Sequence, residues 1–194
     1  MMDQALKFLL DTAFGLLTYA FLLRFAMQLL RAPFRNPIGQ AVTAFTDWAA
    51  KPLRRVLPGW RGVDWSTLAL AWLMQFAWLV SLRVLVAGGG IGGAVAATLA
   101  LLALVELFKA AVWLLVIIVF AQAILSWTMP ESPLAGLLNA LSFRFLQPIR
   151  RIIPPLGGTL DVSPLILIVL LQLVLIVPVP WLELATLRAF GPSP

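Results

Sequence analysis

The chain has 194 residues, of which 62 % are apolar and only 11 % charged, with a mean hydropathy of +1.00 and a formal net charge of +6. So few polar side chains cannot cover a water-facing surface, and the same balance excludes disorder. What remains is an integral membrane protein with room for roughly four spans of about 20 residues and no separate soluble domain. Cysteine and histidine are both absent, which excludes disulfides, thiolate nucleophiles, Cys/His metal sites and imidazole acid–base chemistry.

Apolar stretches predict spans over Phe8–Leu30, Trp65–Leu82, Ala110–Trp127 and Pro164–Trp181. The first is read as a retained span: its apolar region is too long for a signal peptide, Asp3 weakens the basic leader, and no small-x-small site follows. A fifth run, Ile91–Val105, follows the glycines Gly88–Gly90 and Gly92–Gly93 and is short for a crossing. An outer extension of the third span is one reading of it. The favoured expectation is a short membrane-embedded or interfacial helix that does not cross. Glu106 and Lys109 after it lie one helical turn apart and can pair, and Asp11 and Arg83 fall near the outer ends of their spans, where they either pair or reach water.

The basic residues cluster. Loop 31–64, loop 130–163 and a snorkelling Arg24 hold ten of the 14 basic residues and four of the eight acids, so the whole +6 sits on one side. The positive-inside rule makes that side cytoplasmic. The two loops also resemble each other. Asn36-Pro37-Ile38, Lys51-Pro52-Leu53-Arg54-Arg55-Val56-Leu57-Pro58 and Asp64-Trp65-Ser66 recur as Ser132-Pro133-Leu134, Gln147-Pro148-Ile149-Arg150-Arg151-Ile152-Ile153-Pro154 and Asp161-Val162-Ser163, at an offset of 96 to 97 residues. A tandem, parallel repeat of span, basic loop and span is expected. Asn36 and Ser132 suit N-caps with proline at the first helical position. Helical spacing of Ile38, Val42, Phe45 and Ala49, and of Leu134, Leu138, Leu141 and Phe145, predicts short amphipathic interfacial helices that end at Pro52 and Pro148. Asp64 with Ser66, and Asp161 with Ser163, then cap or brace the following span.

These motifs resemble the YggT family of small bacterial membrane proteins, called YlmG in some bacteria and in plastids, over about residues 8–182. The sequence departs from the family where Thr46-Asp47-Trp48 replaces a threonine followed closely by proline, and where Ser142 replaces threonine; both weaken a role for that threonine. The resemblance implies an integral membrane protein linked to osmotic-stress tolerance. Plastid relatives are linked to biogenesis of a cytochrome complex and to nucleoid organisation.

The leading site candidates are Arg54, Arg55, Arg150 and Arg151. Neighbours on a helix diverge, so one of each pair can face headgroup phosphates or a partner while the other faces the protein, where Asp64 and Asp161 are available. Gln75 and Gln172, each 11 residues after its aspartate, are expected near mid-bilayer as a buried polar pair, bonding between helices or lining a path. Trp60, Trp65, Trp127 and Trp181 suit an interfacial aromatic belt. No catalytic, metal or cofactor site is expected.

The expected fold is therefore all-α and membrane-embedded, with a first repeat over 1–87, a Gly-rich linker with a short helix over 88–109, and a second repeat over 110–194. The expected function is a non-enzymatic scaffold or assembly and stress-tolerance factor in the inner (plasma) membrane. Its partners would be anionic lipid headgroups and a membrane or cytoplasmic protein, without direct nucleic-acid binding and with homo-oligomerisation open. The alternative is a small ion channel or transporter subunit active in osmotic stress.

Overall fold

The structure, a computed structural model, describes residues 2–59, 62–153 and 161–190. Trp60, Arg61 and Pro154 of the basic loops lie outside these. Among the described residues the architecture is all-helical: α1 (Met2–Leu29), α2 (Pro37–Arg54), α3 (Trp65–Ser81) with a π-helical extension Leu82–Val86, α4 (Gly93–Thr128), α5 (Pro133–Ile152), α6 (Ser163–Ile176) and α7 (Pro178–Phe190). By length and composition four stretches can cross a membrane: Met2–Leu29, Trp65–Val86, Gly93–Thr128 and Ser163–Ala189. The chain is thus a membrane protein of the class its composition demanded.

The expected separate helix at Ile91–Val105 does not form. From Gly93 on, the run is the first third of α4, which continues unbroken for 36 residues. The glycines account for the start of the helix, with Gly88 at a φ of 63°, but no residue between Ala94 and Glu106 breaks the ladder. At about 1.5 Å per residue α4 outruns a 30 Å hydrocarbon core, so it tilts or projects beyond it. α4 is also the hub of the packing. Phe21 and Leu22 of α1, Ala50 of α2 and Leu70 and Ala71 of α3 pack with its Leu107 and Ala110. Met27 packs with Ile118 and with Leu137 and Leu141 of α5, and Val119 with Leu146 of α5 and Leu167 of α6. Trp72 of α3 donates its indole N–H to Ala100 O of α4 at 3.1 Å. These contacts are interior; large apolar side chains such as Phe120, Leu165, Val169 and Ile176 face outward, as expected of lipid-facing surface.

The helices α2 and α5 start as their sequences dictate. Asn36 accepts from Gly39 N at 2.8 Å and Ser132 from Ala135 N at 3.1 Å, each with proline inside the first turn. Their ends differ from expectation. Neither Pro52 nor Pro148 terminates its helix; both lie within the last turns, and α2 runs to Arg54 and α5 to Ile152. A proline near a helix end forfeits one hydrogen bond, and the packing of Ala50 and Leu146 holds the turn that follows. The continuation places Arg54, Arg150 and Arg151 on helix rather than loop, with Arg55 in the turn that closes α2. α2 turns Val42, Thr46 and Ala50 inward and leaves Phe45 and Trp48 exposed. Residues of both basic segments meet at one end of the bundle, where a groove of about 810 Å³ is lined by Gln28 and Arg31, Gly62 and Val63, and Arg144 and Gln147.

Candidate functional site at the arginine pairs

The arginine pairs resolve in the same way in both segments. In the first, Arg54 donates through Nε to Asp64 Oδ2 at 3.2 Å and through Nη2 to the same oxygen, while Nη2 also approaches Gln28 Oε1 at 3.4 Å. In the second, Arg150 donates to Asp161 Oδ2 through Nε at 2.8 Å and Nη2 at 2.7 Å. Arg55 and Arg151 are exposed and have no carboxylate partner among the described residues. The first arginine of each pair therefore fastens the end of α2 or α5 to the start of the helix that follows, α3 or α6. The second carries free charge at the surface.

The aspartates are held differently from ordinary N-caps. Asp64 precedes α3 without the capping bond of an ordinary N-cap; its carboxylate is occupied chiefly by Arg54 and by Ser66 Oγ at 2.5 Å. Thr67 satisfies the Asp64 carbonyl at 3.0 Å. Asp161 keeps part of the capping role, accepting from the Ser163 backbone N–H at 2.9 Å. Burial works to raise the carboxyl pKa of Asp64, but the hydrogen bonds from Arg54 and Ser66 and the guanidinium charge overcome it and hold it below the usual range. Asp161 follows the same pattern: burial raises it, and Ser163 and Arg150 bring it lower on balance. The two clasps differ in depth. The Asp64 side chain is 2 % exposed and the Asp161 side chain 24 %.

A third ion pair was not legible as a site. Arg24, expected to snorkel to water, is buried at 4 % exposure and donates through Nη1 to Asp47 Oδ1 at 2.8 Å and to Thr46 Oγ1 at 2.6 Å. Thr46 passes its own proton to Val42 O at 2.6 Å. The threonine that the motif departures had discounted thus helps hold a buried cation. Lys51, one turn along α2, lowers the Asp47 carboxyl through a hydrogen bond at 2.8 Å, with Arg24 adding to it against partial desolvation. The signal was present: an arginine inside an apolar span calls for a counter-charge, and Asp47 is the acid of the adjoining helix α2.

The glutamines are half-buried rather than buried, and no hydrogen bond joins them among the described residues. Gln75 lines a cavity of about 160 Å³ with Asp11, Tyr19, Glu106 and Lys109; Gln172 is not part of it. Lys109 pairs with Glu106 as the spacing implied and also with Glu183 of α7, each at 3.0 Å. Asp11 accepts from the Trp78 indole at 2.6 Å, and Arg83 donates to Gly90 O at 3.2 Å, so these two do not pair with each other. Among the described residues no group of three or more Asp, Glu, His or Cys gathers as metal ligands.

A family model described as CCB3/YggT matches residues 3–85 and 101–182. An uncharacterized protein of Pseudomonas aeruginosa is 36 % identical over 177 residues, covering 89 % of this chain and 87 % of its own length. One of Vibrio alginolyticus is 35 % identical, covering 87 % and 90 %. The uncharacterized protein YggT of Escherichia coli K12 is 34 % identical, covering 88 % and 87 %. No solved structure matches.

Proposed function

Because the chain belongs to the CCB3/YggT family, we propose that it is a non-enzymatic scaffold or assembly and stress-tolerance factor of the inner membrane, which presents two clasped basic helices to the cytoplasmic face. The observation that carries this reading is the division of labour inside each arginine pair. Arg54 and Arg150 are consumed in fixing geometry, and Arg55 and Arg151 stand free. A surface that only needed positive charge would not need one arginine of each pair locked to an aspartate. A scaffold does, because the lock sets where the free cation points. Two crossings, α3 and α4, separate the basic segments and return the chain to one side, and the charge bias assigns that side to the cytoplasm. The exposed Phe45 and Trp48 of α2 suit the headgroup boundary, beside phosphates that Arg55 and Arg151 attract.

The channel reading draws on one observation, the polar cavity of about 160 Å³ between α1, α3 and α4. It does not continue as a polar path: the larger cavity of about 420 Å³ among α1, α3, α4 and α5 is lined by apolar residues alone, including Leu22, Leu104 and Ile118.

A deletion strain of the host, challenged with high osmolarity, separates the two readings. On the scaffold reading, the parent gene restores growth and the double variant Arg55→Gln/Arg151→Gln does not, at equal membrane abundance. The purified parent in liposomes then passes no more ions than empty liposomes. Ion flux through the parent that survives the double variant overturns the scaffold in favour of the channel.

A further inference from the structure

Between the last two turns of α4 and the start of α6 lies a polar cavity of about 170 Å³, lined by Gln122, Ser126, Trp127, Arg150 and Asp161. Gln122 is only 8 % exposed, and its Oε1 has no hydrogen-bond partner among the described residues. A buried amide oxygen left without a donor is costly, and one that borders a cavity calls for a donor inside it. Ala123, Trp127, Asp161 and Pro164 also wall a second cavity of about 320 Å³, whose remaining lining is largely apolar, with Phe120, Ile124, Leu165 and Ile168 on the outer face of α4 and α6. The two cavities adjoin along these shared walls as a recess of two compartments, a polar one toward the protein and an apolar one toward the lipid.

The chemistry of the polar compartment selects its occupant. Arg150 and Asp161 neutralise each other, so the compartment carries no net charge to attract an ion. The Gln122 oxygen and the Asp161 carboxylate oppose a phosphate at its base. An ammonium can donate to Gln122 Oε1 but cannot accept from the amide nitrogen beside it, whereas a hydroxyl does both. Arg151, exposed and next in the chain to the clasp residue Arg150, is a free cation on this side for a phosphate. Gln122 lies six residues before the end of α4, about 9 Å along the axis, within reach of a short headgroup entering from the interface.

We propose that this recess is a specific site for one phospholipid with a polyol headgroup. A headgroup hydroxyl bonds Gln122, the phosphate stays at the mouth near Arg151, and an acyl chain lies along Phe120, Ile124, Leu165 and Ile168. This goes beyond the attraction of free arginines to an anionic membrane, which does not distinguish one anionic headgroup from another.

The test is native mass spectrometry of the full chain in detergent, titrated with dioleoyl phosphatidylglycerol, dioleoyl phosphatidic acid and dioleoyl phosphatidylethanolamine. The parent is expected to retain phosphatidylglycerol at least about fivefold more tightly than either of the others, the margin one good buried hydrogen bond supplies. Gln122→Leu is expected to reduce that preference to about parity with phosphatidic acid while keeping the thermal midpoint, since the amide oxygen it removes has no protein partner. Ile124→Trp, which fills the apolar compartment, is expected to weaken binding of the lipid without altering headgroup order. Gln75→Leu, in the other polar cavity, is expected to change nothing. Soluble glycerol phosphate is expected not to compete. Equal retention of phosphatidylglycerol and phosphatidic acid by the parent overturns the proposal. So does a headgroup preference that survives Gln122→Leu, or lipid binding that Ile124→Trp leaves as strong as in the parent, and so does full displacement by glycerol phosphate, which would mark a soluble ligand.

Discussion

Arg150 grips a single oxygen of Asp161 with two nitrogens, Nε at 2.8 Å and Nη2 at 2.7 Å, and Arg54 contacts Asp64 through the same two nitrogens. The difference between the clasps is depth. Asp64 is buried and Asp161 is not, so losing the arginine strands a buried charge only in the first segment. Arg54→Ala is therefore expected to lower stability in detergent by about 2 kcal/mol and Arg150→Ala by about 1 kcal/mol or less. Arg55→Ala and Arg151→Ala should stay within about 0.5 kcal/mol. Lysine should be tolerated at 55 and 151 and not at 54 and 150, because it lacks the second nitrogen of the fork. Thermal unfolding midpoints of the eight single variants check the order.

Acid should loosen the same joints. Asp47, Asp64 and Asp161 all have carboxyls held below their ordinary value in the folded chain. A group with a depressed folded pKa contributes its full stability above the unfolded value, about 4, and loses it as pH falls through the folded value. The midpoint is expected to be flat from pH 7 to about 5 and to drop below about 4. Asp64→Asn/Asp161→Asn should start from a lower midpoint and fall less steeply, as read from the midpoint at each pH.

The Arg24–Asp47 pair should show the asymmetry of a buried charge. Asp47→Ala leaves Arg24 inside the bundle with only Thr46 and is expected to cost about 2–4 kcal/mol. Arg24→Leu leaves an aspartate that Lys51 and water still serve and should cost less. The double variant Arg24→Leu/Asp47→Ala should recover most of the Asp47→Ala loss, measurable as a coupling energy in a double-mutant cycle.

Gly39 is fixed by a close approach rather than by its own torsions. A Cβ there would stand 2.5 Å from the backbone oxygen of Phe34, in the turn that Asn36 caps. Gly39→Ala is expected to displace the chain between α1 and α2 and destabilise by about 1–3 kcal/mol. The matching place in α5 is already an alanine, Ala135, and Gly136 beside it has open space and should accept alanine without loss. Thermal midpoints of the two variants give the comparison.

Spans, caps and clasps were legible because each rests on a local rule: hydropathy over a span length, Asn or Ser before proline, an aspartate ten or eleven residues after an arginine that needs it. What was not legible depended on packing. Nothing local distinguishes a short embedded helix at Ile91–Val105 from the continuation of α4. The contacts of Leu107 and Ala110 with α1, α2 and α3 settle the continuation. Pro52 and Pro148 read as stops because a lone helix ends there, and tertiary contacts of the flanking turn carry both helices past them. Arg24 read as a snorkelling cation because its partner belongs to another helix. Gln75 and Gln172 matched in sequence position, yet the elements around them differ, and Gln172 takes no part in the polar cavity that Gln75 lines.

The chain has no cysteine of its own, so single cysteines at the free arginines report their side of the membrane without background. Arg55→Cys and Arg151→Cys, exposed in intact cells to a membrane-impermeant maleimide and again after the membrane is opened, test the placement of both basic helices on one cytoplasmic face. Both positions are expected to stay unlabelled in intact cells and to react fully once the membrane is opened. Labelling of either position from outside, or of one and not the other, would contradict it.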